Sequence, residues 1–91
     1  METREVLRHP RAVARHVSAA GCQLILENGA LHVGQALGFS LEGAGWIRGQ
    51  VRWILANHVG FAFDAMLDSG AQAILARHAR ESGRLDLEIL G

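Results

Sequence analysis

The chain has no lysine, a single proline and a single cysteine in 91 residues, and each scarcity excludes something. One thiol, Cys22, cannot build an intramolecular disulfide framework, which fits a reducing compartment and a cytoplasmic location. No apolar run approaches the ~20 residues of a membrane span. The N-terminus also lacks the apolar core of a signal peptide, so membrane insertion is not expected. The five histidines His9, His16, His32, His58 and His78 are scattered, without the helical i,i+4 pairing or cysteine spacing of zinc sites, so no metal site is expected. No glycine loop of the P-loop or Rossmann kind is present, and no cofactor is required. Charge of either sign is not in excess: nine basic residues balance nine acidic ones. No global field then draws the protein to DNA, RNA or an acidic membrane.

Apolar residues make up 49% of the chain and glycine occurs 11 times. That is enough for one small core and many turns, near the lower size limit for folding without staples. All nine basic residues are arginines, and Arg4, Arg8, Arg11 and Arg15 fall in the first fifteen positions. Arginine's planar fork of donors suits phosphates and guanine edges better than lysine does. A solvated basic N-terminus is the plainer account of the same residues.

Residues 1–10 are read as a flexible tail or as short salt-bridged helical turns that Pro10 ends. A single domain over 11–91 follows. Arg11 to Ser18 alternates, with Val13 and Val17 among the arginines on one side and Ala12, Ala14, His16 and Ser18 on the other, as a strand would. Ala19-Ala20-Gly21 turns the chain. Cys22, Leu24 and Leu26 then form an inward face, where Cys22 reads as a small buried hydrophobe. Asn28-Gly29 is a strong turn signal. Leu31 to Gln35 is a connector or short strand, and Leu37, Phe39 and Leu41 mark another strand. Glu42 to Gly45 turns the chain into the hairpin around which the rest must fit. In its first strand Ile47, Val51, Trp53 and Leu55 are expected on the core face, between Arg48, Gln50 and Arg52. Ala56-Asn57-His58 makes the turn, with Asn57 suited to left-handed backbone. Val59, Phe61 and Phe63 are inward on the second strand. After Phe63 the period changes: Ser69 and Gln72 form a capping box, and a helix is predicted over about 70–82. Its apolar stripe is Ala71, Ile74, Leu75, His78 and Ala79, and Gly83 is its stop. Leu85, Leu87 and Ile89 alternate as a last strand, which could serve as a dimer edge.

Two of these stretches resemble a known family. Gly49-x-Val51-Arg52-Trp53, a short turn and Val59-Gly60-Phe61-Ala62-Phe63 resemble the closing hairpin of PilZ domains. Ser18-Ala19-Ala20-Gly21-Cys22-Gln23-Leu24 resembles the second half of that family's Asp/Asn-x-Ser-x-x-Gly motif and the strand after it. The likeness runs from about Ala12 to Phe63, with Gly38-Phe39-Ser40-Leu41 as a strand between the motifs. It implies an all-β fold with a C-terminal α-helix: a small antiparallel PilZ-like barrel of about six short strands. It also implies cyclic di-GMP, a bacterial second messenger, as a ligand. In the family an Arg-x-x-x-Arg segment grips phosphates and guanines while the serine motif completes the site. Carried onto this chain, the nucleotide-contacting candidates are Arg8, Arg11, Arg15, His16, Ser18 and Gly21.

The carry-over departs from the family in two places. His16 stands where Asp or Asn is usual. Arg15 lies three residues before Ser18, where a whole strand and loop normally intervene, so the usual first strand is missing. Ser18 and His16, two apart on a strand, suggest a nucleophile and base, but no acid is placed to orient the imidazole. The protein is therefore not expected to be an enzyme. Two functions remain. One is a regulatory adaptor with a degenerate cyclic di-GMP site, in motility, pilus or second-messenger signalling, offering Leu85 to Leu90 or the helix to a protein partner or a second copy. The other is a working cyclic di-GMP sensor using the N-terminal arginines and the Ser-x-x-Gly turn.

Overall fold

The computed structural model describes residues 9–90; Arg8 and the tail-or-turn expectation for residues 1–8 lie outside them. Seven strands and one helix follow in chain order: β1 (Arg11–Arg15), β2 (Gly21–Leu26), β3 (Ala36–Leu41), β4 (Gly45–Leu55), β5 (His58–Phe63), α1 (Ser69–Arg80), β6 (Arg84–Asp86) and β7 (Glu88–Ile89). They form one antiparallel sheet in the order β6-β1-β2-β5-β4-β3-β7. The two outermost strands are consecutive pieces of one segment, separated only by Leu87. β6 pairs with β1 and β7 with β3, so that segment closes the sheet into a barrel. The Leu87 N–H donates to the Pro10 carbonyl at 2.8 Å at the point of the switch. Six staves with the last one broken is therefore the architecture. Closure leaves no long unpaired edge for another chain.

The core is the barrel interior. Leu24, Leu37, Phe39, Val51, Val59 and Phe61 fill it from successive inward positions, with the Phe61 and Phe63 rings meeting edge-to-face at 5.8 Å between centroids. Leu85 and Leu87 join them at 2% and 0% exposure. The C-terminal segment is thus a wall of the barrel: Leu85 and Leu87 are not offered to a partner or a second copy, while Ile89 and Leu90 are partly exposed. α1 lies against β1, with Leu75 wholly buried and Ile74 against the β3–β4 turn at Gly43.

Four local expectations change. A register shift between Val51 and Trp53 inserts Arg52 as an extra residue in β4. A bulge bends the strand and reverses the side-chain alternation beyond it. Ile54 therefore packs against the core, while Trp53 and Leu55 face outward at 45% and 72% exposure, contrary to the expected core face. β1 ends at Arg15, because His16 takes φ 52°; the strand does not continue to Ser18. The helix is capped by Asp68, whose Oδ1 accepts from Ala71 N–H at 2.8 Å, and not by Ser69. At its other end Ser82 takes the left-handed position (φ 54°). The Ser82 and Gly83 N–H groups donate back to the Ala79 and His78 carbonyls at 3.0 and 2.9 Å, a Schellman closure. Gly83 is needed for another reason: a Cβ there would collide with the His78 ring.

In the β4–β5 turn the left-handed residue is Ala56 (φ 56°), not Asn57. Asn57 instead joins the turn to β2, its Nδ2 donating to Leu26 O at 3.2 Å while Leu26 N–H donates to Asn57 O at 2.9 Å. An L-residue in that conformation costs about 1–2 kcal/mol. Ala56→Gly should therefore raise stability by about 0.5–1 kcal/mol after glycine's own entropy cost, read as a thermal midpoint a few degrees higher.

Candidate functional site

The small outward residues of β2 and β5 make the floor of a shallow groove of about 420 Å³ on the barrel wall. Gly21, Gly60 and Ala62 provide that floor. On one side stands the β1–β2 turn with His16 and Ser18; on the other stand Arg52 and Trp53, delivered by the bulge. The Trp53 indole lies over Gly60, where any Cβ would overlap the ring. A flat ring beside a guanidinium is suited to a planar, anionic ligand.

Ser18 is committed to its own turn. Its hydroxyl donates to Gly21 O and accepts from the Ala20 and Gly21 N–H groups, all at 3.2 Å. The Ser18 N–H also donates to Gly21 O at 2.9 Å. The serine therefore shapes the turn, and the geometry gives it no role as a nucleophile. His16 tolerates its left-handed backbone because His, Asn and Asp adopt it more readily than most residues. Gly21 is required by closeness: a Cβ there would strike the Phe61 carbonyl.

Of the six residues proposed from sequence, the groove gathers His16, Ser18 and Gly21. Arg15 lines a neighbouring hollow of about 460 Å³ with Ala76, Ala79, Arg80 and Ser82 of the helix end, and His16 borders both. Arg11 sits at the far end of β1, 3.7 Å from the Asp86 carboxylate in the cross-strand position. Both partners are exposed, so the pair adds little stability. Arg8 is outside the described residues. Arg52, Trp53 and Arg80 were missed. The signal for the first two was present in Val51-Arg52-Trp53-Ile54-Leu55, where two apolar runs out of phase meet at one arginine.

Cys22 lines the groove floor from below yet is buried, and burial pushes its thiol up to about 12. It stays protonated near neutrality and is no nucleophile. Among the described residues, no three His, Cys, Asp or Glu side chains converge as metal ligands. No helix among them is long and apolar enough to cross a membrane.

The structure thus combines a closed small barrel, an open groove on its wall and a serine whose hydroxyl is bonded within its own turn. The PilZ domain family model matches residues 4–81, most of the chain. The chain belongs to the PilZ domain family, whose members are as a class non-catalytic domains that bind cyclic di-GMP or act as adaptors. No curated protein matches the chain, and no solved structure matches it.

Proposed function

We propose that this protein is a cytoplasmic regulatory adaptor whose cyclic di-GMP site is degenerate. The placement of the arginines carries the reading. Arg11 is turned to Asp86 at the far end of β1, and Arg15 faces the helix end, so neither lines the groove that holds Ser18 and Gly21. Among the described residues, a dinucleotide diphosphate bound by Ser18 and Gly21 would meet Arg52 alone, without the paired guanidinium grip that makes phosphate recognition strong. With Leu85 and Leu87 consumed by the core, the partner-facing surface is left to the outer face of α1 and the outer wall of the barrel. The solitary buried thiol is consistent with a reducing compartment.

The sensor reading keeps one observation in its favour: Arg52 and Trp53 stand in the same groove as the serine motif. Amide NMR during addition of cyclic di-GMP separates the two. The adaptor reading expects no saturating shifts at Ser18 to Gln23 up to high micromolar ligand. Saturating shifts there and at Arg52–Trp53 would favour the sensor.

A further inference from the structure

The hollow between the end of β1 and the end of α1 differs in chemistry from the groove beside it. It measures about 460 Å³, and Arg15, His16, Arg80 and Ser82 supply its polar lining. Ala76 and Ala79 keep the helix side open, where longer side chains would fill the space. Among the described residues, Arg11, Arg48 and Arg84 each lie beside a carboxylate, at 3.7, 3.1 and 2.8 Å, and Arg15 and Arg80 do not. No lining residue is acidic. Glu81, exposed between Arg80 and Ser82, is the one carboxylate in the two segments that line the hollow, and Arg77 in the same segment offsets it. Asp86 and Glu27 stand at the other end of β1, engaged by Arg11 and Arg84. Asp68 caps the opposite end of α1.

The backbone commits two further polar residues here. His16 and Ser82 both take left-handed φ, 52° and 54°, and glycine usually fills the position of Ser82 at a helix end. A helix C-terminus is the negative end of the macrodipole and works against an anion. In α1 the Arg77, Ala79 and His78 carbonyls accept from the Glu81, Ser82 and Gly83 N–H groups at 3.1, 3.0 and 2.9 Å. Little of that partial charge is left open.

We propose that this hollow binds the terminal phosphate of a small phosphate monoester or pyrophosphate. Arg15 and Arg80 are the charge-assisted donors, with His16 and Ser82 as further donors. Two guanidiniums around one open space repel each other until an anion lies between them. A terminal phosphate carries nearly two charges and three acceptor oxygens, which two forked donors can match. A phosphodiester carries one charge and two free oxygens, so the chemistry favours the terminal group over cyclic di-GMP. His16 also borders the groove, so an occupied hollow fixes one of the groove's own residues.

Amide and arginine side-chain NMR of the full chain during addition of pyrophosphate tests this, with ionic strength held constant by sodium chloride. Saturable shifts are expected at His16, Val17, Ser82 and the Nε–H groups of Arg15 and Arg80. Inorganic phosphate should give the same pattern with weaker affinity. Arg15→Gln and Arg80→Gln, both exposed changes, should each weaken binding roughly ten-fold. Arg11→Gln, the same charge change at the far end of β1, should alter it by less than about two-fold. Glu81→Gln should tighten it. Shifts that stay linear in pyrophosphate to tens of millimolar would overturn the proposal. So would equal losses in the Arg11, Arg15 and Arg80 variants, which would mean a diffuse counter-ion effect only. Saturation at these residues by cyclic di-GMP, with none by pyrophosphate, would also overturn it and assign the hollow to a diester. Shifts at Gly21 and Arg52 report on the groove separately, so failure here and failure of the adaptor reading are distinguishable.

Discussion

A chain ending at Gly83 should lose cooperative unfolding altogether, while Leu87→Ala in the intact chain should still fold, less stably by about 2–5 kcal/mol. The segment that follows α1 is the only part of the described chain that joins β1 to β3. Removing it strips Leu85 and Leu87 from the core and leaves β1 and β3 each with one open edge. It also removes the Leu87 N–H to Pro10 and Leu90 N–H to Ala36 bonds, of 2.8 and 2.9 Å. A domain of this size has only roughly 5–14 kcal/mol of net stability, and two buried leucines with their strand pairing account for most of it. The truncation also removes the Arg84–Glu27 contact, with Nε 2.8 and 3.0 Å from the two carboxylate oxygens, but that pair is exposed and its loss adds little. Urea unfolding followed by tryptophan fluorescence reads both variants. A truncated chain with an unchanged midpoint would show that the barrel does not depend on its last stave.

Gly49→Ala should cost about 3 kcal/mol, far more than a single methyl in a strand ordinarily does. Gly49 faces inward where β4 crosses β5, paired with Phe63. An added Cβ would run into the Ala62 carbonyl oxygen and come within 2.9 Å of the Phe61 ring. The first obstacle is backbone and cannot rotate away, so the two strands must separate. That close approach gives the physical reason for the glycine in Gly49-x-Val51-x-Trp53. Thermal unfolding of the variant should show a midpoint lower by ten degrees or more. A change of a degree or two would mean that the strands have slack at this point.

The strands were legible where alternation ran undisturbed. Cys22-x-Leu24, Leu37-x-Phe39 and Val59-x-Phe61-x-Phe63 each place their inward face as the period of two requires. Reading failed at positions where one residue breaks the count. Arg52 occupies a bulge, and every side chain after it in β4 changes face, so Trp53 lies half exposed on the outer face where the alternation puts it in the core. His16 bends β1 out of its strand and separates Arg15 from the groove. Both events turn on backbone geometry, which no side-chain pattern encodes directly. The helix was visible from its stripe, but Asp68 and Ser69 are equally good caps by type, and only the approach of the chain from β5 selects Asp68. Closure by the last segment was the least accessible feature, because Leu85-x-Leu87-x-Ile89 is the same pattern whether it seals a barrel or seeks a partner.

For the candidate site the balance was similar. Ser18 and Gly21 were found because their spacing is a local property of one turn. The arginines could not be placed, since Arg11 and Arg15 lie on one short strand, yet one meets Asp86 and the other the end of α1. Arg52 and Trp53 reach the groove only through pairing with strands remote in sequence.

The adaptor account stands on the claim that this PilZ domain has lost its grip on cyclic di-GMP. The most direct measurement is a calorimetric titration of the intact protein with cyclic di-GMP at moderate ionic strength, with GTP as control and a cooperative unfolding transition as proof of fold. The account predicts no saturable heat up to high micromolar ligand. Saturable one- or two-to-one binding, absent with GTP and abolished by Arg15→Ala or Arg52→Ala, would contradict it and make the protein a sensor.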